Sequence, residues 1–157
     1  TMSILKVDTL QPATGARVLS AGHVVQVIQG STNTEMTSAS TSYADTGLTA
    51  TITPTSTSSK ILVRITQHYR FDRHGFSIKI MRGSTNVHVP VNNFMVYSAD
   101  SNADQRQHVN YEVIDSPSST SALTYKTQVI LNTSSGVGLQ LQGNDFFSFM
   151  TLMEIAQ

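Results

Sequence analysis

The 157 residues contain no cysteine. No disulfide can staple this chain, no thiolate can hold a metal, and cysteine usage gives no sign of its redox compartment. Charge is scarce as well. Only 13% of residues are charged, and ten basic side chains balance ten acidic ones to a formal net charge of zero. That removes the electrostatic footprint nucleic acid or an anionic membrane surface would require. No apolar run approaches the roughly 18 residues of a membrane-spanning helix, and no signal-peptide pattern opens the chain. Helical periodicity is missing, as is any repeat of fixed period. The length suits one domain with a proper core.

What is abundant is hydroxyl. Serine and threonine make up roughly a quarter of the chain, well above ordinary usage, which favours pleated sheet over helix. Short runs of period-two alternation follow one another from His23 onward, each bounded by turn residues. Val24–Ile28 stops at Gly30. Leu48, Ala50 and Ile52 alternate with threonines up to Pro54. Ile61, Val63, Ile65, Tyr69 and Phe71 share one parity against Arg64, Thr66, His68 and Arg70. Phe76, Ile78 and Ile80 lead through Arg82-Gly83-Ser84-Thr85-Asn86 into Val87–Val91. Residues 92–97 offer a further strand. Val109, Tyr111 and Val113 come next, then Leu123 to Leu131, then Val137, Leu139 and Leu141. Some eight to ten short strands at this spacing indicate an antiparallel sandwich or barrel.

The last run, Phe146–Ile155, organises the rest. One parity carries Phe147, Phe149, Thr151, Met153 and Ile155; the other carries Phe146, Ser148, Met150 and Leu152. A core helix competes for so short an apolar run, but the preceding G-N-D turn and the aromatic crowding favour a strand. A strand apolar on both faces needs its own core and a second partner, most simply another copy of the chain. The opening segment, residues 3–20, places Ile4, Leu5, Val7 and Leu10 ahead of Pro12 and Gly15. It reads either as a solvated tail or as an extended arm that docks elsewhere. The division is an arm over 1–20 and a β head over 21–157.

Chemistry finds no frame. His23, His68, His74, His88 and His108 lack zinc spacing, so surface or interface positions are the simpler assignment. Asp100, Asn102 and Asp104 match the first half of a calcium loop. Gln105 and Tyr111 then stand where glycine and the closing carboxylate belong. Glu35, Glu112 and Glu154 are far apart in sequence, and no nucleophile or phosphate motif is present. Tyr69, Phe71, Phe76, Phe94, Tyr97 and Tyr111 would make a sugar-stacking platform if they shared a surface, but several fall on core parity. No enzyme activity, cofactor or metal is expected.

The run T-S-Y-A-D-T-G-L-T-A-T-I-T-P-T-S-T-S-S-K-I-L-V (residues 41–63), with the ending F-S-F-M-T-L-M-E-I, resembles small β domains of bacteriophage virion proteins. The opening L-K-V-D-T-L-Q is similar to the start of fibre-like structural proteins of the same phages, and together these cover most of the chain. The resemblance implies a homotrimeric jelly-roll-like head, broadly like the tumour necrosis factor and complement heads, with the final aromatic strand near the threefold axis. The expected shared surface is Phe147, Phe149, Met150, Leu152 and Met153, with Tyr125 and Leu139 behind; the pattern does not decide which parity faces the axis. The arm, through Ile4, Leu5, Val7 and Leu10, would attach to other virion proteins. Loops at 72–75, 83–86 and 99–106, carrying Arg73, His74, Asn86, Asp100, Asn102 and Asp104, would form the exposed binding surface. Two roles on the virion surface follow: a short tail fibre or knob that binds a host glycan or protein, or a capsid decoration protein at threefold positions. Neutral charge and the lack of a shaft favour decoration. The opening L-K-V-D-T-L-Q favours the appendage, which is the leading expectation. Neither role involves nucleic acid or membrane insertion.

Overall fold

The structure, a computed structural model, describes residues 20–90, 95–99, 104–134, 138–143 and 145–157. Among them the regular elements are all β-strands. They are β1 (Val24–Thr32), β2 (Met36–Ser38), β3 (Ala44–Ile52), β4 (Lys60–Phe71), β5 (His74–Arg82), β6 (Thr85–His88), β7 (Val96–Ser98), β8 (Gln105–Asp115), β9 (Leu123–Leu131), β10 (Leu139–Leu141) and β11 (Ser148–Ile155). Every pairing is antiparallel, and the pairs nest: β1 with β11, β2 with β10, β3 with β9, β4 with β8, β5 with β7. A chain folded back as one long ribbon and then wrapped into two layers is a jelly-roll-like sandwich. One layer runs β8-β4-β11-β1, with β10 and β2 continuing β11 and β1 end to end; the other runs β3-β9-β5, with β6 and β7 on the far edge of β5.

The alternation explains which faces meet. Ile61, Val63, Ile65, Tyr69 and Phe71 of β4 are buried against Leu48, Ala50 and Ile52 of β3, Phe76, Ile78 and Ile80 of β5, and Tyr125, Val129 and Leu131 of β9. Tyr69, Phe71 and Phe76 pack edge to face with centroids 5.1 Å apart, so these rings are core and cannot form a sugar platform. The polar stretch at 31–46 is more ordered than its composition suggests. β1 continues through Gly30 to Thr32, and β2 and the start of β3 are drawn from it. Gly30 allows this because its Cα lies against the Thr49 carbonyl of the opposite layer, where a Cβ would collide with backbone. Gly30→Ala is therefore expected to cost about 2 kcal/mol and to lower the melting temperature by roughly 5 °C, as measured by thermal denaturation.

One expectation needs correction. Met150, Leu152, Tyr125 and Leu139 are at most 1% exposed inside the single chain, so they fill the sandwich and have no surface left to share with a neighbour. In the single chain the two faces of the last strand differ: Ser148, Met150, Leu152 and Glu154 point inward, while Phe147 and Phe149 on the outer face are 46% and 38% exposed. Ile4, Leu5, Val7, Leu10, Phe94, Asp100, Asn102 and Val137 lie outside the described residues.

Candidate functional site: the outer face of the six-stranded sheet

Register fixes what stands beside what on the solvent side of β1, β11, β4 and β8. Val27 faces Met153, Met153 faces Leu62, and Leu62 faces Ile114, an apolar row across four strands. Val24 and Ile155 adjoin it on one side. On the other side comes a mixed row, Gln29, Thr151, Arg64 and Glu112, then Ser31, Phe149, Thr66 and Asn110. The polar members pair among themselves: Gln29 Nε2 donates to Thr151 Oγ1 at 3.1 Å, and Thr66 Oγ1 to Asn110 Oδ1 at 2.9 Å. Phe147 stacks on Phe149 with centroids 6.1 Å apart. Eight large apolar side chains stay exposed among the described residues. Six of them, Val24, Val27, Ile114, Phe146, Phe147 and Phe149, belong to this sheet or to the turn that enters β11. A shallow concavity of about 250 Å³ opens between Gln29, Arg64, Thr66, Phe149, Thr151 and Met153.

Farther along β4 the face turns polar. Asp104 bridges Arg70 Nε at 2.7 Å and Arg106 Nη2 at 2.9 Å, and the hydrogen bonds from Arg106 and Arg70 hold its carboxyl down at about 2. Beside this bridge lies a cleft of about 420 Å³ lined by Glu35, Thr37, Arg70, Asp72, Gly138 and Gln140. Gln140 Nε2 donates to Glu35 Oε2 at 2.5 Å. The Asp72 carboxylate rests on the Cα of Gly138, in space a side chain would fill. Among the described residues no three histidines or carboxylates gather to hold a metal ion.

The expected binding loops do not form one surface. Arg73 and His74 make the β4–β5 turn, with His74 at a φ of 70°, and Asp104 stands next to the first residue of β8, close to the same end. Asn86 lies on β6 opposite Met81 near the other end of β5, roughly 23 Å from His74 at strand rise. Of the expected shared surface, Phe147, Phe149 and Met153 do stand together on the outer face.

Glu154 and His68 take places that pattern alone does not indicate. Glu154 is fully buried, accepting hydrogen bonds from Gln26 Nε2 at 2.6 Å and from Thr55 N, Thr55 Oγ1 and Ser59 Oγ at 2.7 Å each. Burial pushes its carboxyl up, but the donors from Gln26, Ser59 and Thr55 together outweigh that and hold it below the ordinary value. His68 is 4% exposed, stacked against Phe146 with centroids 4.3 Å apart and edge-on to His108 at 5.3 Å.

No protein-family model matches this chain, and no curated protein matches it either.

Proposed function

We propose that the chain is a non-enzymatic, homotrimeric virion surface protein, a short tail-fibre or knob-type head that binds a host surface receptor. One observation supports the self-association: the face β11 turns to solvent is more apolar than the face it turns to its own core. Outside stand Phe147, Phe149, Met153 and Ile155 with Thr151; inside stand Met150 and Leu152 with Ser148 and Glu154. A sandwich that hides a carboxylate while showing phenylalanines is built to be covered. Contiguous apolar surface of this kind marks a contact site, and a symmetric oligomer is the commonest way for one chain to cover such a face. The virion setting rests on the likeness of residues 41–63 and of the ending to phage β domains.

The appendage role is separable from capsid decoration by where the purified protein binds. As a receptor-binding head it is expected to bind cells of the phage's host and to block infection when added first. As a decoration protein it would bind capsids lacking it and leave adsorption unchanged. Binding to capsids alone would replace the first role with the second.

A further inference from the structure

Midway along β4 the sheet changes partner. β11 pairs the stretch up to Thr66, and β10 pairs Tyr69 and Arg70. His68 closes the junction: its N donates to Ser148 Oγ at 3.0 Å, and its O accepts from Gln142 N at 3.2 Å. Beyond it, on the outer face, Gln140 of β10 stands opposite both Thr37 of β2 and Arg70 of β4. Two residues further along each segment, on the same parity, lie Gly138, Ala39 and Asp72. A glycine and an alanine leave this part of the face without tall side chains, while Arg70, Gln140 and Glu35 stand round it. The result is the hollow of about 420 Å³ beside the Arg70–Asp104 bridge, within the size range that takes a small-molecule ligand.

Two carboxylates are fixed in its wall by bare backbone. The Asp72 carboxylate occupies the place a Cβ of Gly138 would take, and the Glu35 carboxylate lies close against the place a Cβ of Gly143 would take. A glycine thus stands on either side of β10, and each receives one carboxylate. Gln140, between them, donates to Glu35. Neither carboxylate joins a salt bridge among the described residues. Arg70 is the one cation in the described lining, and its Nε is taken by Asp104.

This set of groups selects a ligand class. An anion would meet two unpaired carboxylates. A metal ion would find too few ligands, since no three histidines or carboxylates gather among the described residues. A simple cation would meet the Arg70 guanidinium in the same wall. An apolar ligand would find little to cover, because Leu139 is only 1% exposed. What fits is a neutral molecule with many hydroxyls, each able to donate to a carboxylate and to accept from an amide or a guanidinium.

We propose that this cleft is a saccharide-binding site. It takes a neutral sugar unit whose hydroxyls donate to Glu35 and Asp72 and accept from Gln140 and Arg70. This rests on the receptor-binding reading above and adds the chemical class of the receptor and the place that holds it. The cleft lies at the end of the sandwich that carries the Arg73–His74 turn and Asp104, so three of the residues expected on the binding surface collect around it.

Saturation-transfer NMR on the full chain tests this. The neutral probes are the methyl glycosides of glucose, galactose, mannose and N-acetylglucosamine. Methyl glucuronide is the anionic probe and N-acetyl-lysine methylamide the cationic one. At least one neutral glycoside is expected to bind, and neither charged probe. Gly138→Ala pushes the Asp72 carboxylate out of its place, and Asp72→Asn keeps the shape but replaces an acceptor by a donor. Each is expected to weaken binding about tenfold, the loss of one hydrogen bond to a charged group, with thermal melts showing that both variants fold. Ser121→Ala, exposed in the β8–β9 connection at the other end of the sandwich, is expected to bind as the unaltered chain does. Binding of no neutral glycoside overturns the site, as does preference for a charged probe or undiminished binding in both variants. Host-cell binding separates this failure from that of the receptor reading. Cells bound equally by the unaltered chain and by Asp72→Asn overturn the cleft and leave the receptor reading standing. Cells not bound at all sink the receptor reading, and the glycosides alone then decide the cleft.

Discussion

Glu154→Ala is expected to lower the melting temperature by about 10 °C. Four donors from two separate segments converge on this one carboxylate: Gln26 of β1, and both groups of Thr55 with Ser59 from the connection between β3 and β4. Removing the acceptor leaves the buried Ser59 hydroxyl without its partner, at about 1–3 kcal/mol, and takes a charge-assisted hydrogen bond from half-buried Gln26 and two from exposed Thr55, where water replaces part of each. A total of about 3–4 kcal/mol over a chain of this length corresponds to the stated shift. Glu154→Gln preserves the shape but turns an NH2 toward groups that are themselves donors, so most of the loss is expected to remain. The pH dependence has a fixed sign. Because the folded carboxyl is held below its ordinary value of 4.5, its contribution is complete above that value and disappears as pH falls through the folded one. Thermal melts between pH 6 and 3 should therefore show the unaltered chain losing more stability than Glu154→Gln. Equal slopes would mean that the four hydrogen bonds are not charge-assisted.

Glu154 also marks the boundary between what is legible in the sequence and what the fold alone determines. The strands were legible because their cause is local: alternation in β3, β4, β8 and β9 shows which side chains share a face, and turn residues show where each run ends. The sidedness of β11 was not. Hydrophobicity alone would send Phe147, Phe149 and Met153 inward, yet the fold buries Ser148 and Glu154 instead, because donors at positions 26, 55 and 59 and the backbone of His68 await them. Those partners are set by nesting of the ribbon, a property of the whole chain. The same holds for His68 and His108, forty residues apart in sequence and direct neighbours in register. Gly143 and Asp145 hinted at a turn, but only the switch of β4 from β11 to β10 explains why that turn lays Phe146 on an imidazole. The loop expectation failed for the same reason: Asn86 and Arg73 are close in sequence but separated by most of the length of β5.

Phe149→Asp and Leu152→Asp, three residues apart on one strand, are expected to fail in different ways. Leu152 is fully buried between the layers. A carboxylate there would have to be neutralised or left unpaired in the core, a cost of several kcal/mol against a total stability of about 5–15 kcal/mol. Leu152→Asp is expected to yield unfolded or insoluble protein. Phe149 is 38% exposed in the single chain and stands over Thr66 and Ser31, so an aspartate at that position reaches water and the sandwich should fold. What it removes is an aromatic contact, replaced by a charge that a covering copy would have to bury. Phe149→Asp is therefore expected to be soluble, with a strand spectrum like the unaltered chain, and to sediment as a single chain at pH 7.5. Light scattering combined with circular dichroism separates these outcomes. If Phe149→Asp kept the assembled mass, the copies would meet on some other surface, and the exposed phenylalanines of β11 would need a partner of different chemistry. If Leu152→Asp folded, the assignment of the inner parity of β11 would be wrong, and with it the reason for placing the contact on the outer one.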